Sequence, residues 1–214
     1  MKRNTASIYI HWPFCTKLCN YCNFNKYVNT DSKLPNQLVK CLKIEGKTIL
    51  KKANINKIST IYFGGGTPSL IPPEKIKEVI DEYLEVTSQE NTEEITLEIN
   101  PSKEINQDKM QQFIDAGITR FSIGLQSIDD KVLKWMNRDH DGALAEKVIN
   151  ASRDLSGLHS SSIGSTLIHF MTSHYSKSQI FVQKFNFDKT PTFLRVFHTN
   201  FFDNFSREIK VVNS

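Results

Sequence analysis

The sequence predicts an α/β fold: about four βα units on a parallel sheet, then an irregular, aromatic-rich C-terminal tail. Two observations carry this reading. Over residues 1–155, short β-branched and aromatic runs alternate with amphipathic helical stretches, the pattern of strands joined by crossover helices. After Leu155 that rhythm is lost and the composition shifts. A third observation concerns position: a cysteine, glycine or polar motif follows each of the four strands, where parallel sheets collect their chemistry.

The elements follow in order. Ser7–Trp12 (SIYIHW) reads as the first strand. Leu34–Ala53 places Leu38, Cys41, Leu42, Ile49 and Leu50 at roughly helical intervals. Ile58–Phe63 is a second strand, stopped by Gly64-Gly65-Gly66. Pro72-Pro73-Glu74 opens a helix with Ile76, Val79, Ile80, Tyr83 and Leu84 on one face. Glu94–Ile99 is a third strand, closed by Asn100-Pro101. Asp108–Ala116 is a short helix with Met110, Phe113 and Ile114 inward and Gly117 as its C-cap. Ile118–Gln126 is a fourth strand, followed by helices over Asp129–Met136 and Ala143–Leu155. The parallel sheet is either open or part of a barrel.

The tail, residues 156–214, stands apart. From residue 157 onward it holds 9 of the 14 phenylalanines and 4 of the 6 histidines, with one glutamate, Glu208. Ile180–Phe187 reads as weak strand and Ser161–Phe170 as a further strand candidate. The net charge of +4 also concentrates here, with 6 Lys/Arg against 3 Asp/Glu. The excess forms no basic run, so nucleic-acid binding is not expected. No apolar run approaches a membrane span, and neither a signal peptide nor a mitochondrial presequence is visible.

Four cysteines in 214 residues are too few for a disulfide scaffold. Three of them, Cys15, Cys19 and Cys22, form a C-x3-C-x2-C loop directly after the first strand. A structural zinc ordinarily takes four protein ligands, whereas a cubane iron–sulfur cluster held by three cysteines leaves one iron open. Two alternatives stand beside the cluster: a zinc knuckle completed by His11 or Cys41, and buried thiols. Cys41, on a predicted helix, reads as a small buried residue.

The loop, with Tyr21 just before its third cysteine, resembles the signature of the radical S-adenosylmethionine (SAM) superfamily. Tyr9-Ile10-His11-Trp12-Pro13-Phe14-Cys15 and Tyr21-Cys22-Asn23-Phe24-Asn25-Lys26-Tyr27 resemble its HemW branch, the coproporphyrinogen-oxidase-like heme chaperones, and there most of all the animal mitochondrial members. The resemblance implies a partial (β/α) barrel whose Cys15, Cys19 and Cys22 ligate a [4Fe–4S] cluster. In that family the open iron chelates SAM, and one electron cleaves the sulfonium to a 5′-deoxyadenosyl radical.

Further motifs fall into place on the same resemblance. Gly64-Gly65-Gly66-Thr67-Pro68 alone is a turn as readily as a ligand cradle; the family lays it along the amino-acid moiety of SAM, which brings in Gly65, Gly66 and Thr67. Glu98, in Thr96-Leu97-Glu98-Ile99-Asn100-Pro101, is either an outward-facing strand acid or an acceptor for ribose hydroxyls and the SAM amine. Gln126 ends Ser122-Ile123-Gly124-Leu125-Gln126-Ser127, the family's S-I-G-x-Q-S word. Arg138, in Asn137-Arg138-Asp139-His140, is either a solvated arginine or a partner for a carboxylate. Tyr9 and Tyr21 match SAM-contacting tyrosines.

Two departures qualify the resemblance. Phe24 stands where oxygen-independent coproporphyrinogen III oxidases carry an additional cysteine, which argues against that activity. The matching words cover about residues 5–155, so the chain is read as truncated or diverging after its fourth βα unit. The family's fifth-strand aspartate and its heme-binding motif find no counterpart, and His159, His169, His174 and His198 show no paired geometry that would mark a heme ligand. The family role is heme binding and delivery to heme-acceptor proteins of the respiratory chain, with a mitochondrial location, or a cytoplasmic one as the alternative. Its rivals are a non-catalytic zinc- or cluster-binding module and an inactive splice product.

Overall fold

One sheet takes its strands in the order Arg120–Ile123, Glu94–Ile99, Lys57–Gly65, Thr5–Trp12, Thr192–Val196 and Val212–Asn213, in a computed structural model that describes residues 4–29, 31–87, 92–153 and 155 together with the last two short strands. β1 (Thr5–Trp12), β4 (Lys57–Gly65), β5 (Glu94–Ile99) and β6 (Arg120–Ile123) run parallel. They are connected through α1 (Leu34–Lys52), α2 (Pro73–Glu85) and α3 (Gln107–Asp115), and β6 is followed by α4 (Asp130–Trp135) and α5 (Gly142–Arg153). This is the partial radical-SAM-type α/β architecture expected from the sequence. The tail adds β7 (Thr192–Val196), parallel to β1, and β8 (Val212–Asn213), antiparallel to β7, so β1 is paired on both sides. The candidate strands at Ile180–Phe187 and Ser161–Phe170, and the four tail histidines, lie outside the described residues.

The register explains the two faces of the sheet. Ile8, Ile61 and Ile95 align across β1, β4 and β5; Ile10, Phe63, Leu97 and Phe121 align one step further on. Side chains alternate along a strand, so these rows share one face, and all are buried in the continuous core. From α2, Ile76, Val79, Ile80 and Tyr83 enter that core, as do Met110 and Phe113 of α3 and Val148 of α5. Tyr9, Tyr62, Thr96 and Arg120 fall on the opposite face, as do Glu98 and Ser122. The sheet thus has one apolar, helix-covered face and one face that carries polar side chains.

Side-chain caps start α3 and α4. Asn106 accepts from the Lys109 N–H at the start of α3, and Asp129 accepts from Lys131 and Val132 at the start of α4. Gly117, at φ 105°, follows α3 in the left-handed backbone that closes a helix. Cys41 is half-buried on α1.

Candidate functional site: the cysteine loop and the strand ends

The cysteine loop is pinched at its base and anchored at its tip. β2 (Phe14–Cys15) and β3 (Tyr27–Val28) form a short parallel ladder, so the two ends of the loop leave from one point. The tip rests on the segment after α4. Asn20 donates its backbone N–H to the Met136 carbonyl at 3.1 Å and its side-chain amide to the Trp135 carbonyl at 2.7 Å. Asn137 donates Nδ2 to the Leu18 carbonyl at 2.7 Å, and Thr16 donates its hydroxyl to Asp139 at 2.8 Å. Lys26 Nζ donates to the Cys22 carbonyl.

The end of β4 is stitched to the start of the same loop. Gly66 N–H donates to the Trp12 carbonyl at 2.6 Å and Thr67 N–H to the Phe14 carbonyl at 2.9 Å. Gly66 is demanded by this approach: a Cβ there would stand 2.9 Å from Cys15 Sγ and 2.8 Å from the Phe14 carbonyl oxygen. Gly65 has φ 115°, a left-handed backbone that favours glycine, and a Cβ there would meet the His11 ring at 2.7 Å.

Three sets of side chains line the polar face near these strand ends. Tyr62 donates its hydroxyl to Glu98 Oε1 at 2.8 Å, and the Gly65 N–H donates to Oε2 at 3.1 Å. Burial pushes the Glu98 carboxyl above its ordinary pKa, against these two donors, which favour the charged form. Tyr9 stacks on Tyr62 with ring centroids 6.0 Å apart and lies 3.2 Å by its hydroxyl from His11 Nδ1. His11 Nε2 meets the Asn25 carbonyl at 2.8 Å, so both ring nitrogens of His11 are engaged.

Arg138 is buried and donates three ways: Nη1 to Cys19 Sγ at 3.4 Å, Nη2 to Asn100 Oδ1 at 3.1 Å and to the Gly124 carbonyl at 2.9 Å. Its Nε is buried without a partner. Burial raises the Tyr21 phenol, and the nearby Arg138 guanidinium opposes this. Burial likewise raises the Cys15 thiol; the nearby Thr67 opposes this, while Cys22 and Cys19 add to it. Gln126 takes a left-handed backbone at φ 63° beside Gly124, where a Cβ would come within 3.3 Å of Gln126 Nε2.

The structure therefore brings Cys15, Gly66 and Thr67 together, Cys19 with Tyr21 and Arg138, and Glu98 with Gly65. Tyr9 reaches the ensemble through Tyr62, and Gln126 through Gly124. Sequence reasoning missed Asn100, which bridges Arg138 and Thr67, and Tyr62, which holds Glu98. Asn100 sits inside the motif that drew attention to Glu98, but nothing local signals its partners.

The residues present suit an iron–sulfur cluster and SAM. Among the described residues, no three His, Cys, Asp or Glu side chains gather around one ion-sized point. Thiolates on a cubane each bind a different iron and stand farther apart than the ligands of one zinc ion. The buried, unpartnered Nε of Arg138 is a donor for which a carboxylate would be the natural partner.

Comparison with known proteins gives a consistent answer. The family model described as Radical SAM superfamily matches residues 9–175. The chain is 39% identical over 150 residues to the mitochondrial radical S-adenosyl methionine domain-containing protein 1 of Danio rerio, covering 70% of this chain and 33% of that protein. It is 35% identical over 159 residues to the heme chaperone HemW of Haemophilus influenzae, covering 72% of this chain and 41% of the relative. The chain thus spans between a third and two-fifths of the length of these curated relatives. Among solved structures, coproporphyrinogen III oxidase (HemN) from Escherichia coli, a radical SAM enzyme, superposes with a TM-score of 0.63 at 27% identity, covering 72% of this chain and 36% of that one.

Proposed function

The chain belongs to the radical SAM superfamily, and from that membership we propose that Cys15, Cys19 and Cys22 hold a [4Fe–4S] cluster beside a SAM site. The cluster, when bound, supplies the single electron that cleaves the sulfonium of SAM. Arg138 offers its unpartnered Nε to the carboxylate of SAM. Gly65, Gly66 and Thr67 line its amino-acid moiety with backbone, and Glu98, Gln126, Tyr9 and Tyr21 supply the polar and aromatic contacts. By kinship with the HemW heme chaperones, the whole protein binds heme and passes it to heme-acceptor proteins of the respiratory chain, in mitochondria like the relatives so named. Among the described residues no helix is long and apolar enough to cross a membrane.

The observation that carries this reading is the stitching of the cysteine loop to the glycine-rich end of β4. The Gly66–Trp12 and Thr67–Phe14 hydrogen bonds hold the cysteine loop and the glycine-rich turn together, which supports a cluster and SAM side by side. Anaerobic reconstitution with iron and sulfide tests it. The expected product is brown, carries about four irons per chain, and changes its electron paramagnetic resonance (EPR) spectrum when SAM is added. Alanine at any one of the three cysteines abolishes the colour, whereas Cys41→Ala does not. A colourless chain that retains a single zinc ion overturns the reading. Titration with hemin tests the heme role separately, and the absence of a Soret shift in the full-length protein rejects it.

A further inference from the structure

We propose that Asn100 is a positioning residue that ties the Cys19 sulfur into one hydrogen-bonded run, Thr67–Asn100–Arg138–Cys19, and thereby sets the reduction potential of the centre that the cysteines hold. Arg138 Nη2 donates to Asn100 Oδ1 at 3.1 Å, and Asn100 Nδ2 donates to Thr67 Oγ1 at 3.0 Å. At one end Arg138 Nη1 donates to Cys19 Sγ at 3.4 Å. At the other, Thr67 is fixed by its backbone N–H, which donates to the Phe14 carbonyl at 2.9 Å.

The direction of every bond is fixed by chemistry. A guanidinium only donates, so Asn100 must turn its oxygen to Arg138 and its NH₂ to Thr67. Thr67 accepts from that amide. The run therefore finishes with a donor aimed at the Cys19 sulfur. The run also has little slack. Thr67 and Arg138 are buried, and a Cβ at Gly124 would stand 2.9 Å from Asn100 Oδ1.

Hydrogen bonds to ligand sulfurs are among the levers that set a cluster's potential, and the groups behind the ligands orient them. Donors stabilise the more negative, reduced state, so breaking the run shifts the potential to more negative values. Arg138 and Thr67 are also the residues assigned to the SAM carboxylate and amino-acid moiety. A ligand that draws either one away from Asn100 alters the donor on the Cys19 sulfur. This inference rests on the reading that the cysteines hold a cluster.

The test compares wild type with Asn100→Ala, Thr67→Val and Thr67→Ser. In the reconstituted protein, potentiometric titration followed by EPR should show a more negative midpoint for Asn100→Ala and Thr67→Val. Thr67→Ser, which keeps the hydroxyl, should restore the wild-type value. The same proteins without iron are examined by hydrogen–deuterium exchange. The peptides covering 14–22 and 66–70 should exchange at least tenfold faster in Asn100→Ala and Thr67→Val, but not in Thr67→Ser. Unchanged exchange, or a wild-type midpoint in the two disrupting variants, overturns the proposal. Iron content separates the two ideas: a chain that takes up no iron refutes the cluster reading, while the exchange measurement still decides on the hydrogen-bonded run. Thr67→Val is close to isosteric, so it decides the matter even where Asn100→Ala fails to fold.

Discussion

Asn137 reaches back across 119 residues to donate its side-chain amide to the Leu18 carbonyl at 2.7 Å, from a backbone held at φ 59°. Two properties are combined at one position: a left-handed conformation and a tether for the cysteine loop. They separate on substitution. Asn137→Gly keeps the backbone and loses the tether, so trypsin should cut faster after the exposed Lys17 while the melting temperature changes little. Asn137→Ala should show the faster cut together with a loss of about 1–2 kcal/mol, the cost of left-handed backbone for a residue with a Cβ. A glycine variant cut at the wild-type rate would mean that the tether does not hold the loop.

Glu98 receives two donors, from Tyr62 and from Gly65, and under the proposed function it faces SAM. Glu98→Gln removes an acceptor that ribose hydroxyls or an amine would use. SAM binding to the reconstituted protein should weaken by roughly 10- to 100-fold, in line with the ~1.5–3 kcal/mol of a hydrogen bond to a charged group. Equilibrium dialysis with labelled SAM measures this, and unchanged affinity would remove Glu98 from the site.

Gly46 on α1 packs against the ring of Tyr83 on α2 so closely that a Cβ would lie 2.2 Å from two ring carbons. Tyr83 has no easy retreat: it is fully buried and donates its hydroxyl to the Leu42 carbonyl at 2.8 Å. Gly46→Ala should therefore cost about 3 kcal/mol of stability by overpacking. Tyr83→Leu is itself destabilising, but it should absorb most of the alanine penalty in a double-mutant cycle. Additive losses in denaturant titrations would contradict that packing.

Glu45, also on α1, has a carboxyl pushed up to about 7 by burial, and its Oε2 has no hydrogen-bond partner. The folded state therefore binds a proton that the unfolded state releases near the ordinary glutamate value, around 4.3. Below both values the carboxyl is neutral in either state and carries no penalty. Between about 4.5 and 7 the penalty for ionising in the fold grows, and above 7 it is fully present. Glu45→Gln should be nearly neutral at pH 4.5 and stabilising at pH 8. The gain is about 1 kcal/mol once solvent screening of this half-exposed group is allowed for, or roughly 2–4 °C in melting temperature. An equal shift at both pH values would show that ionisation is not the cause.

The legible parts of the molecule were those whose signals are local. The third strand, Glu94–Ile99, and the inward face of α2 follow directly from their periodicity. The second strand runs on into Gly64 and Gly65 because their backbones keep pairing with His11 and Trp12; propensity alone would stop it at the first glycine. The fourth ends at Ile123, short of the expected Gln126, because its partner β5 has no residue beyond Ile99 in the ladder. The sequence singles out Gly65, Gly66, Thr67, Glu98 and Arg138 because each stands in a recognisable word at a strand end or in the loop after α4. It does not single out Asn100 or Tyr62, because their roles are defined by partners 33 to 38 residues away. β7 was invisible for the same reason: its pairing with β1 is a property of the sheet and not of its own five residues.

The long reach of the loop's anchors has a consequence in time. A ribosome makes Cys15, Cys19 and Cys22 early, yet Trp135, Met136, Asn137 and Asp139 leave the exit tunnel more than a hundred residues later. At the synthesis rate of about 5–20 residues per second, the three thiols spend roughly 6–25 seconds without the backing that shapes their loop. During that interval they are exposed to oxidants and to stray metal ions. The shaped cysteine loop is therefore a late event, and it follows the folding of the fourth βα unit.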